Sequence, residues 1–164
     1  MKTGILGLNL IKEYEGFRGS VYIDGAGHET IGFGHKLTAS EVFNGAYINK
    51  TITEDQAIQI LANDLVVAES VVSSEVIVEL NQNQFDALVS FVFNLGSGNF
   101  SRSTLLQKLN EGDYDSASSE ILRWDKQTDK KTGIKESVPG LARRRKAEAD
   151  LWNALPPMSS NGVV

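Results

Sequence analysis

Residues 81–96, with the sequence NQNQFDALVSFVFNLG, constrain the fold more than any other part of the chain. As a helix this stretch would be apolar on nearly every side, and Gly96 is the residue type that most often ends a helix. Such a helix is stable only when other elements cover it, because its apolar sides would otherwise face water. The stretch therefore predicts a helical lobe around a buried central helix.

Other helix patterns supply elements that can cover this central helix. Thr53 and Gln56 have the spacing of a capping box, and they begin a predicted helix of about twenty residues. Two short helices are predicted for residues 101–112 and 113–124. Pro139 suits the first turn of a last helix.

Three segments carry no clear helix pattern. The β-branched residues 76–80 fit either a strand or a helix, and we interpret them as a connection. Residues 125–137 contain four lysines and no apolar period, so a mobile loop is predicted there. Residues 156–164 are expected to form a flexible tail.

Residues 20–37 have a different sequence pattern. Short β-branched and aromatic runs alternate with glycines, which is typical of short antiparallel strands joined by tight turns. A sheet of this size is not stable alone. The chain therefore predicts an α+β fold, in which a long helix joins a small antiparallel sheet subdomain to a larger helical lobe. We expect one domain over residues 1–155, with its β-rich part near 18–37 and its helical lobe near 54–152.

Charge and composition exclude several classes of protein. The net charge is −5, and residues 51–122 carry two basic and eleven acidic groups. A nucleic-acid binder is not expected, because the chain lacks a broad basic surface. The absence of cysteine excludes disulfides and cysteine metal sites, and two histidines without a metal-binding spacing do not predict a metal site.

Membrane association is not expected either. No run of apolar residues approaches the roughly 18 that a membrane span needs. The start of the chain, MKTGILGLNLIK, is interrupted by Asn9 and lacks a cleavage pattern, so we interpret it as the first helix rather than a signal peptide. The protein is therefore expected in the cytosol.

Two acids and a threonine lie close together in the sequence, around the start of the predicted sheet. Glu15 is placed at the end of the first helix, and Asp24 follows nine residues later where a strand meets a turn. Two carboxyl groups on opposite sides of a bond are what glycoside cleavage requires. They could face each other across a groove between the lobes, and the hydroxyl of Thr30 could hold a water. On these residues alone, ordinary solvated loop charges remain the simpler interpretation.

The wider pattern resembles the phage-type lysozymes, the endolysins of glycoside hydrolase family 24. Glu15, Asp24 and Thr30 have the spacing E-x8-D-x5-T, within a stretch that ends in GHETIGFGH. Further similarity lies in the central helix, the following helix pair, and the segments RW and VPGLARRRKAEADLW. The resemblance covers about residues 6–152 and implies a lysozyme-like fold.

The resemblance implies a function as well. A family member cleaves the β-1,4 bond between N-acetylmuramic acid and N-acetylglucosamine in bacterial peptidoglycan, without a metal or organic cofactor. Glu15 would be the acid, and Asp24 with Thr30 would place or activate a water, so that the anomeric centre is inverted. Because no signal is recognised, a pore-forming holin is the expected partner that would give the enzyme access to the wall. A monomer is expected.

Three residues are predicted to contact the substrate. Gly34 could let a sugar approach the backbone closely, and Phe100, after a glycine-rich turn, could form a wall of the site. His35 matches a histidine of the family motif, and a structural hydrogen bond or salt bridge is its favoured role. Trp124 and Trp152 are interpreted as core residues, because their helical neighbours are apolar.

Two other functions remain open from the sequence. A lysozyme-fold module that only binds peptidoglycan would not need Glu15, Asp24 and Thr30 together. A lytic transglycosylase would need the acid alone, and its anhydro product would leave Asp24 and Thr30 without a role.

Overall fold

The computed structural model describes residues 1–129 and 131–155. The described helices are α1 Ile5–Glu15, α2 Ala39–Phe43, α3 Glu54–Glu75, α4 Gln82–Leu95, α5 Ser97–Ser101, α6 Thr104–Asn110, α7 Tyr114–Leu122 and α8 Pro139–Asn153. The described strands are β1 Arg18–Ile23, β2 Glu29–Gly32, β3 His35–Lys36, β4 Lys126–Thr128 and β5 Lys135–Ser137. The α+β prediction is confirmed. The predicted tail, 156–164, lies outside the described residues.

The chain forms two compact units. Unit one contains Met1–Leu10 and the described chain from Ala68 onward, and unit two contains Ile11–Val67. Helices α1 and α3 each contribute residues to both units. The predicted capping box begins α3, since the Thr53 amide donates to Gln56 and the Gln56 amide donates to Thr53 Oγ1.

Unit two is built on the antiparallel sheet β1-β2-β3. In β2 the burial increases along the strand: Glu29 is exposed, whereas the following residues Thr30 and Ile31 are buried. A register shift separates the pairs Arg18–Gly32 and Tyr22–Thr30, so β1 bulges before it reaches the turn. The sheet therefore presents Thr30 toward a buried face, one residue after an exposed acid.

The buried helix α4 is the centre of unit one, as the sequence predicts. Leu88 and Phe91 are fully buried, and Ser90 donates a 2.7 Å hydrogen bond to Glu148 of α8. Glu148 also forms ion pairs with Arg144 at 3.3 Å and Arg145 at 2.8 Å, and all three side chains are buried. Burial raises the pKa of Glu148, while the two guanidinium groups oppose that change.

The start of α1 is anchored to α4 by Asp86, whose side chain is 1% exposed. The Gly4 amide donates to Asp86 Oδ1 at 2.8 Å, and the Gly7 amide donates to Oδ2 at 3.0 Å. A carboxylate is favoured here because unpaired amides give a helix N-terminus a partial positive charge. The close approach depends on glycine: a Cβ at Gly4 would lie 2.9 Å from Oδ2, and a Cβ at Gly7 would lie 2.7 Å from Asp86 Cβ.

Residues 125–137, which the sequence predicts to be a mobile loop, contain a pair of strands, so the prediction of a loop throughout this segment is wrong. Strands β4 and β5 pair there in register, from Lys126–Ser137 to Thr128–Lys135. All six strand residues are exposed, so no apolar alternation marks them in the sequence. The turn chemistry is local: Asp129 Oδ1 accepts from the amides of Lys131 and Thr132.

One described helix, α3, is long and apolar enough to cross a membrane by length and composition, contrary to the prediction from apolar runs. Core helices pass the same test. The buried residues Ala57, Leu61, Leu65 and Val72 recur at helical spacing along one face of α3. Its Asp64 contacts His35 of the sheet. These features are those of a helix packed by one face against protein.

Replacing Gly7 by alanine should lower the free energy of unfolding by about 1–3 kcal/mol, because the new methyl group would overlap buried Asp86. Urea denaturation followed by circular dichroism measures the change. Gly140→Ala is a matched control, since Gly140 also lies in a helix and nothing lies within 4 Å of the position that its Cβ would take. This control should be neutral or stabilising by up to about 1 kcal/mol. Equal losses in both variants would contradict the steric explanation.

Candidate active site

Glu15 is the last residue of α1, and its side chain is half-buried. The helix ends because Gly16 adopts a φ of 70°, a left-handed conformation that glycine accepts without strain. Gly34 lies against the acid: a Cβ at Gly34 would be 2.9 Å from Glu15 Oε2. The structure thus brings together two residues that the sequence predicts for the site, and it gives a reason for glycine at position 34.

Asp24 follows β1 and organises the turn into β2. Its Oδ1 atom accepts hydrogen bonds from the amides of Ala26 and His28, both at 2.8 Å. The backbone of Asp24 also pairs with that of His28, since the Asp24 amide donates to the His28 carbonyl at 2.9 Å. These bonds stabilise the turn, and they hold the carboxylate in a fixed direction.

The surroundings of Asp24 favour its charged form. The hydrogen bond from the His28 amide lowers the pKa of Asp24, against the opposing effect of desolvation, and the amide of Ala26 and the charges of His28 and Lys36 lower it further. His28 Nδ1 lies 3.4 Å from Oδ1, and Lys36 Nζ lies 3.7 Å from Oδ2. Asp24 is therefore suited to act as a carboxylate and not as a proton donor.

Thr30 lies in the middle of the sheet, opposite Tyr22 on one side and Lys36 on the other. It is 2% exposed. Its hydroxyl donates a 3.0 Å hydrogen bond to the carbonyl of His28, in the turn that Asp24 caps. With its proton engaged in this way, Thr30 Oγ1 retains lone pairs that can accept a hydrogen bond.

His35 has carboxylates at both ring nitrogens. Nδ1 lies 2.9 Å from Asp64 Oδ2 of α3, and Nε2 lies 3.3 Å from Glu41 Oε1 of α2. The imidazole thereby ties β3 to two helices of unit two. Burial raises the pKa of Asp64, with His35 opposing the change, whereas hydrogen bonding to the Thr38 amide lowers the pKa of Glu41. This arrangement corresponds to the structural role that the sequence favours for His35.

Phe100 does not fit its predicted role as a wall of the site. It is fully buried in unit one and packs against Phe91 with ring centroids 6.3 Å apart. Because its ring is enclosed by the core of unit one, Phe100 is a core residue. The core role of Trp152 is confirmed by its 3% exposure, whereas Trp124 packs against Phe91 and stays half-exposed.

A cavity of about 520 Å³ in unit two contains none of the predicted site residues. Its lining includes Glu29 and Glu41, together with the apolar side chains of Leu37 and Val42. Since neighbouring strand residues point to opposite faces, Glu29 and Thr30 lie on opposite faces of β2. The cavity is therefore separate from the face that carries Thr30. No group of three or more metal-binding side chains is found among the described residues.

The partners of the predicted residues were not found from the sequence. Lys36, Asp64 and Glu41 each contact a site residue, yet none of them stands out in the sequence. Only the strand pairing could indicate Lys36, because position 36 lies opposite Thr30 once the register is known. Asp64 and Glu41 come from helices whose packing a linear pattern does not reveal.

Comparison with known proteins assigns the chain that carries this site to a family. The model of the phage lysozyme family matches residues 12–148, which include all of the residues around Glu15 and Asp24 described above. The chain belongs to the phage lysozyme family. The resemblance found in the sequence is thereby confirmed.

Individual relatives match this chain over most of its length. The endolysin of Acyrthosiphon pisum secondary endosymbiont phage 1 is 41% identical over 148 residues, which are 90% of this chain and 95% of the relative. A SAR-endolysin of Bacteriophage PS119 is 35% identical over 140 residues, 84% of this chain and 77% of that protein. Among solved structures, the muramidase domain of SpmX from Asticaccaulis excentricus has a TM-score of 0.83 and 32% identity, over 94% of this chain and 99% of that domain.

Glu41→Gln should destabilise the protein more at neutral pH than in acid. The folded state lowers the pKa of Glu41, so its charged form contributes stability above its unfolded pKa, and this contribution is lost as the pH falls through the folded pKa. Glutamine can keep the capping hydrogen bonds with Thr38 but carries no charge for His35. The expected loss is about 0.5–1 kcal/mol at pH 7 and should be smaller at pH 3, which lies below the ordinary pKa of a glutamate.

Urea denaturation at the two pH values measures this difference. Glu111→Gln removes a carboxylate that pairs with Lys108 on the surface, and it should change stability by less than about 0.5 kcal/mol at either pH. A loss for Glu41→Gln that is the same at pH 3 and pH 7 would show that charge is not its cause.

Proposed function

We propose that this protein is an endolysin that hydrolyses the β-1,4 bond between N-acetylmuramic acid and N-acetylglucosamine in bacterial peptidoglycan. Its family membership supports a lysozyme-type glycoside hydrolase. The observation that carries the proposal is a pair of carboxyl groups in unit two whose surroundings differ. Glu15 lies half-buried against Gly34, whereas Asp24 is held in its charged form by the turn.

In this mechanism Glu15 is the general acid. Its proton passes to the oxygen that links the two sugars, and the bond between that oxygen and the anomeric carbon breaks. The absence of a side chain at Gly34 supports this role, because a Cβ at this position would lie 2.9 Å from Oε2 of Glu15 and would crowd the acid. The φ of 82° at Gly34 also favours glycine there. The same absence lets a sugar approach the backbone closely next to the acid.

Asp24 and Thr30 would hold the attacking water between them. The Thr30 hydroxyl already donates to the His28 carbonyl, so Oγ1 can only accept a hydrogen bond from the water. The second water proton would point to the Asp24 carboxylate. With both protons directed in this way, an oxygen lone pair faces the anomeric carbon. As the new C–O bond forms, Asp24 takes one proton, and the other proton remains on the product hydroxyl.

This arrangement supports inversion of the anomeric centre. A water placed between a carboxylate and the sugar attacks the face opposite the leaving oxygen, and no covalent glycosyl-enzyme forms. Inverting enzymes require room for that water, so the two carboxyl groups should lie roughly 6.5–9.5 Å apart when substrate is bound. The contribution of His35 would be indirect, since its nitrogens bind Asp64 and Glu41 and hold strand β3 in place.

The enzyme is proposed to act on the cell wall after release from the host cytoplasm. A holin that opens the membrane would provide access, as the sequence leads us to expect. One relative of the chain is named a SAR-endolysin, and lysis without a co-expressed holin is the alternative route to test. Lysis timed with and without a co-expressed holin distinguishes the two routes. The protein is proposed to act as a monomer.

Wild-type protein should release soluble muropeptides with reducing N-acetylmuramic acid ends from purified peptidoglycan, and Glu15→Gln should lower the rate by at least about 100-fold, because no proton is available for the leaving oxygen. Mass spectrometry of the products measures this. Glu13→Gln is the control, since this exposed acid lies on the same helix. Anhydro products would assign the protein to the lytic transglycosylases. If folded wild-type protein released no muropeptides, the enzyme would be excluded and the peptidoglycan-binding module would be the remaining function.

The first product formed should have the anomeric configuration opposite to that of the substrate. Proton NMR during the first minutes of hydrolysis, before the two anomers equilibrate, records which form appears first. The β bond of peptidoglycan would therefore give the α-anomer. The β-anomer as first product would contradict water attack between Asp24 and Thr30 and would favour a covalent intermediate.

A further inference from the structure

The two oxygens of the Asp24 carboxylate have different surroundings. Oδ1 accepts from two backbone amides at 2.8 Å and also lies 3.4 Å from His28 Nδ1. Oδ2 accepts neither of these amide bonds, and the ammonium of Lys36 lies 3.7 Å from it. Oδ1 is thus committed to the turn. Oδ2 is the oxygen that can receive a proton from an attacking water.

Strand pairing brings Lys36 to this position. Lys36 is the second residue of β3 and lies directly opposite Thr30 of β2. Residues opposite each other in an antiparallel pair point to the same face of the sheet. Lys36 and Thr30 therefore share a face, and Asp24 reaches the same region from the turn that joins β1 to β2.

We propose that Lys36 is a positioning residue for the hydrolysis, and that its ammonium orients Oδ2 of Asp24 toward the water held by Thr30. The inference rests on the proposed function. The amides of Ala26 and His28 donate hydrogen bonds to one oxygen of the carboxylate, and the Lys36 ammonium lies 3.7 Å from the other, within reach of an ionic contact. Lys36 acts through Asp24 and needs no contact with the reacting atoms.

This role predicts a pH dependence. The charged groups that face Asp24 are His28, in its own turn, and Lys36, on the neighbouring strand. The lowered pKa of Asp24 has the His28 amide as its largest cause, and the Lys36 charge contributes in the same direction. Without Lys36 the pKa of Asp24 should rise, so the carboxylate would be lost at a higher pH. The acid side of the activity profile should move upward with it.

The expected loss of activity without Lys36 depends on how exposed the side chains of Lys36 and Asp24 are. The Lys36 side chain is 59% exposed and that of Asp24 is 19% exposed, so water and salt screen the pair in part. An ion pair with an exposed partner corresponds to roughly a two- to fivefold change in an equilibrium. Lys36→Met should therefore lose about two- to fivefold in kcat/KM on the acid side of the profile. High salt should reduce the difference between variant and wild type.

The experiment measures kcat/KM of the full chain on solubilised peptidoglycan from pH 2.5 to 7, for wild type, Lys36→Met and Lys36→Arg. The range begins below the ordinary pKa of an aspartate, because the pKa of Asp24 is lowered in the fold. Lys36→Arg should restore the profile, because it keeps the charge beside Oδ2. Lys50→Met is the matched control: it also removes an exposed lysine of unit two, whose ammonium binds the Ala46 carbonyl instead of Asp24. A purely structural role would lower activity equally at every pH and would overturn the proposal.

A second measurement keeps the proposal separate from the proposed function. Carbon NMR of the Asp24 carboxyl group gives its titration directly in wild type and in Lys36→Met. A shift of this titration to higher pH supports the contact between Lys36 and Asp24, even if the protein cleaves no peptidoglycan and the function has to be revised. An unchanged titration in a folded variant would contradict the proposal, whatever the activity.

Discussion

The burial of α4 is the constraint on which unit one depends. A helix that is apolar on nearly every side must be covered, and each polar group that it carries inward must find a partner. Asp86 and Ser90, one helical turn apart, both meet this requirement by binding another helix. Asp86 accepts from the amides of Gly4 and Gly7 at the start of α1, and Ser90 donates to Glu148 of α8. The polar residues of the central helix thus decide which helices lie beside it.

In unit two, the structure depends in the same way on one turn, which joins β1 to β2. The Asp24 carboxylate stabilises the turn through backbone amides, and those same bonds keep it charged. The His28 carbonyl accepts the Thr30 hydroxyl and thereby fixes the direction of its lone pairs. Local structure and proposed chemistry therefore rest on the same hydrogen bonds. A change that disrupts the turn is expected to affect both stability and catalysis.

The sequence predicted most elements and the central residues of the candidate site, but not their partners. Helix patterns, the capping box at Thr53 and Pro139 all mark real boundaries, because they depend on neighbours within a few residues. The hairpin formed by β4 and β5 was not predicted, because its strand residues are all exposed and therefore show no apolar alternation. Phe100 was misplaced for a related reason: an aromatic residue after a glycine-rich turn gives no sign of whether it is buried.

The sequence by itself determined the family, the α+β class, and the spacing of Glu15, Asp24 and Thr30, because these depend on residue types at fixed intervals along the chain. Tertiary structure decided what surrounds them. The approach of Gly34 to the acid, the carboxylates on both sides of His35, and the ammonium of Lys36 beside Asp24 all join separate elements. Such contacts follow from strand register and helix packing, which arise only when the whole chain has folded.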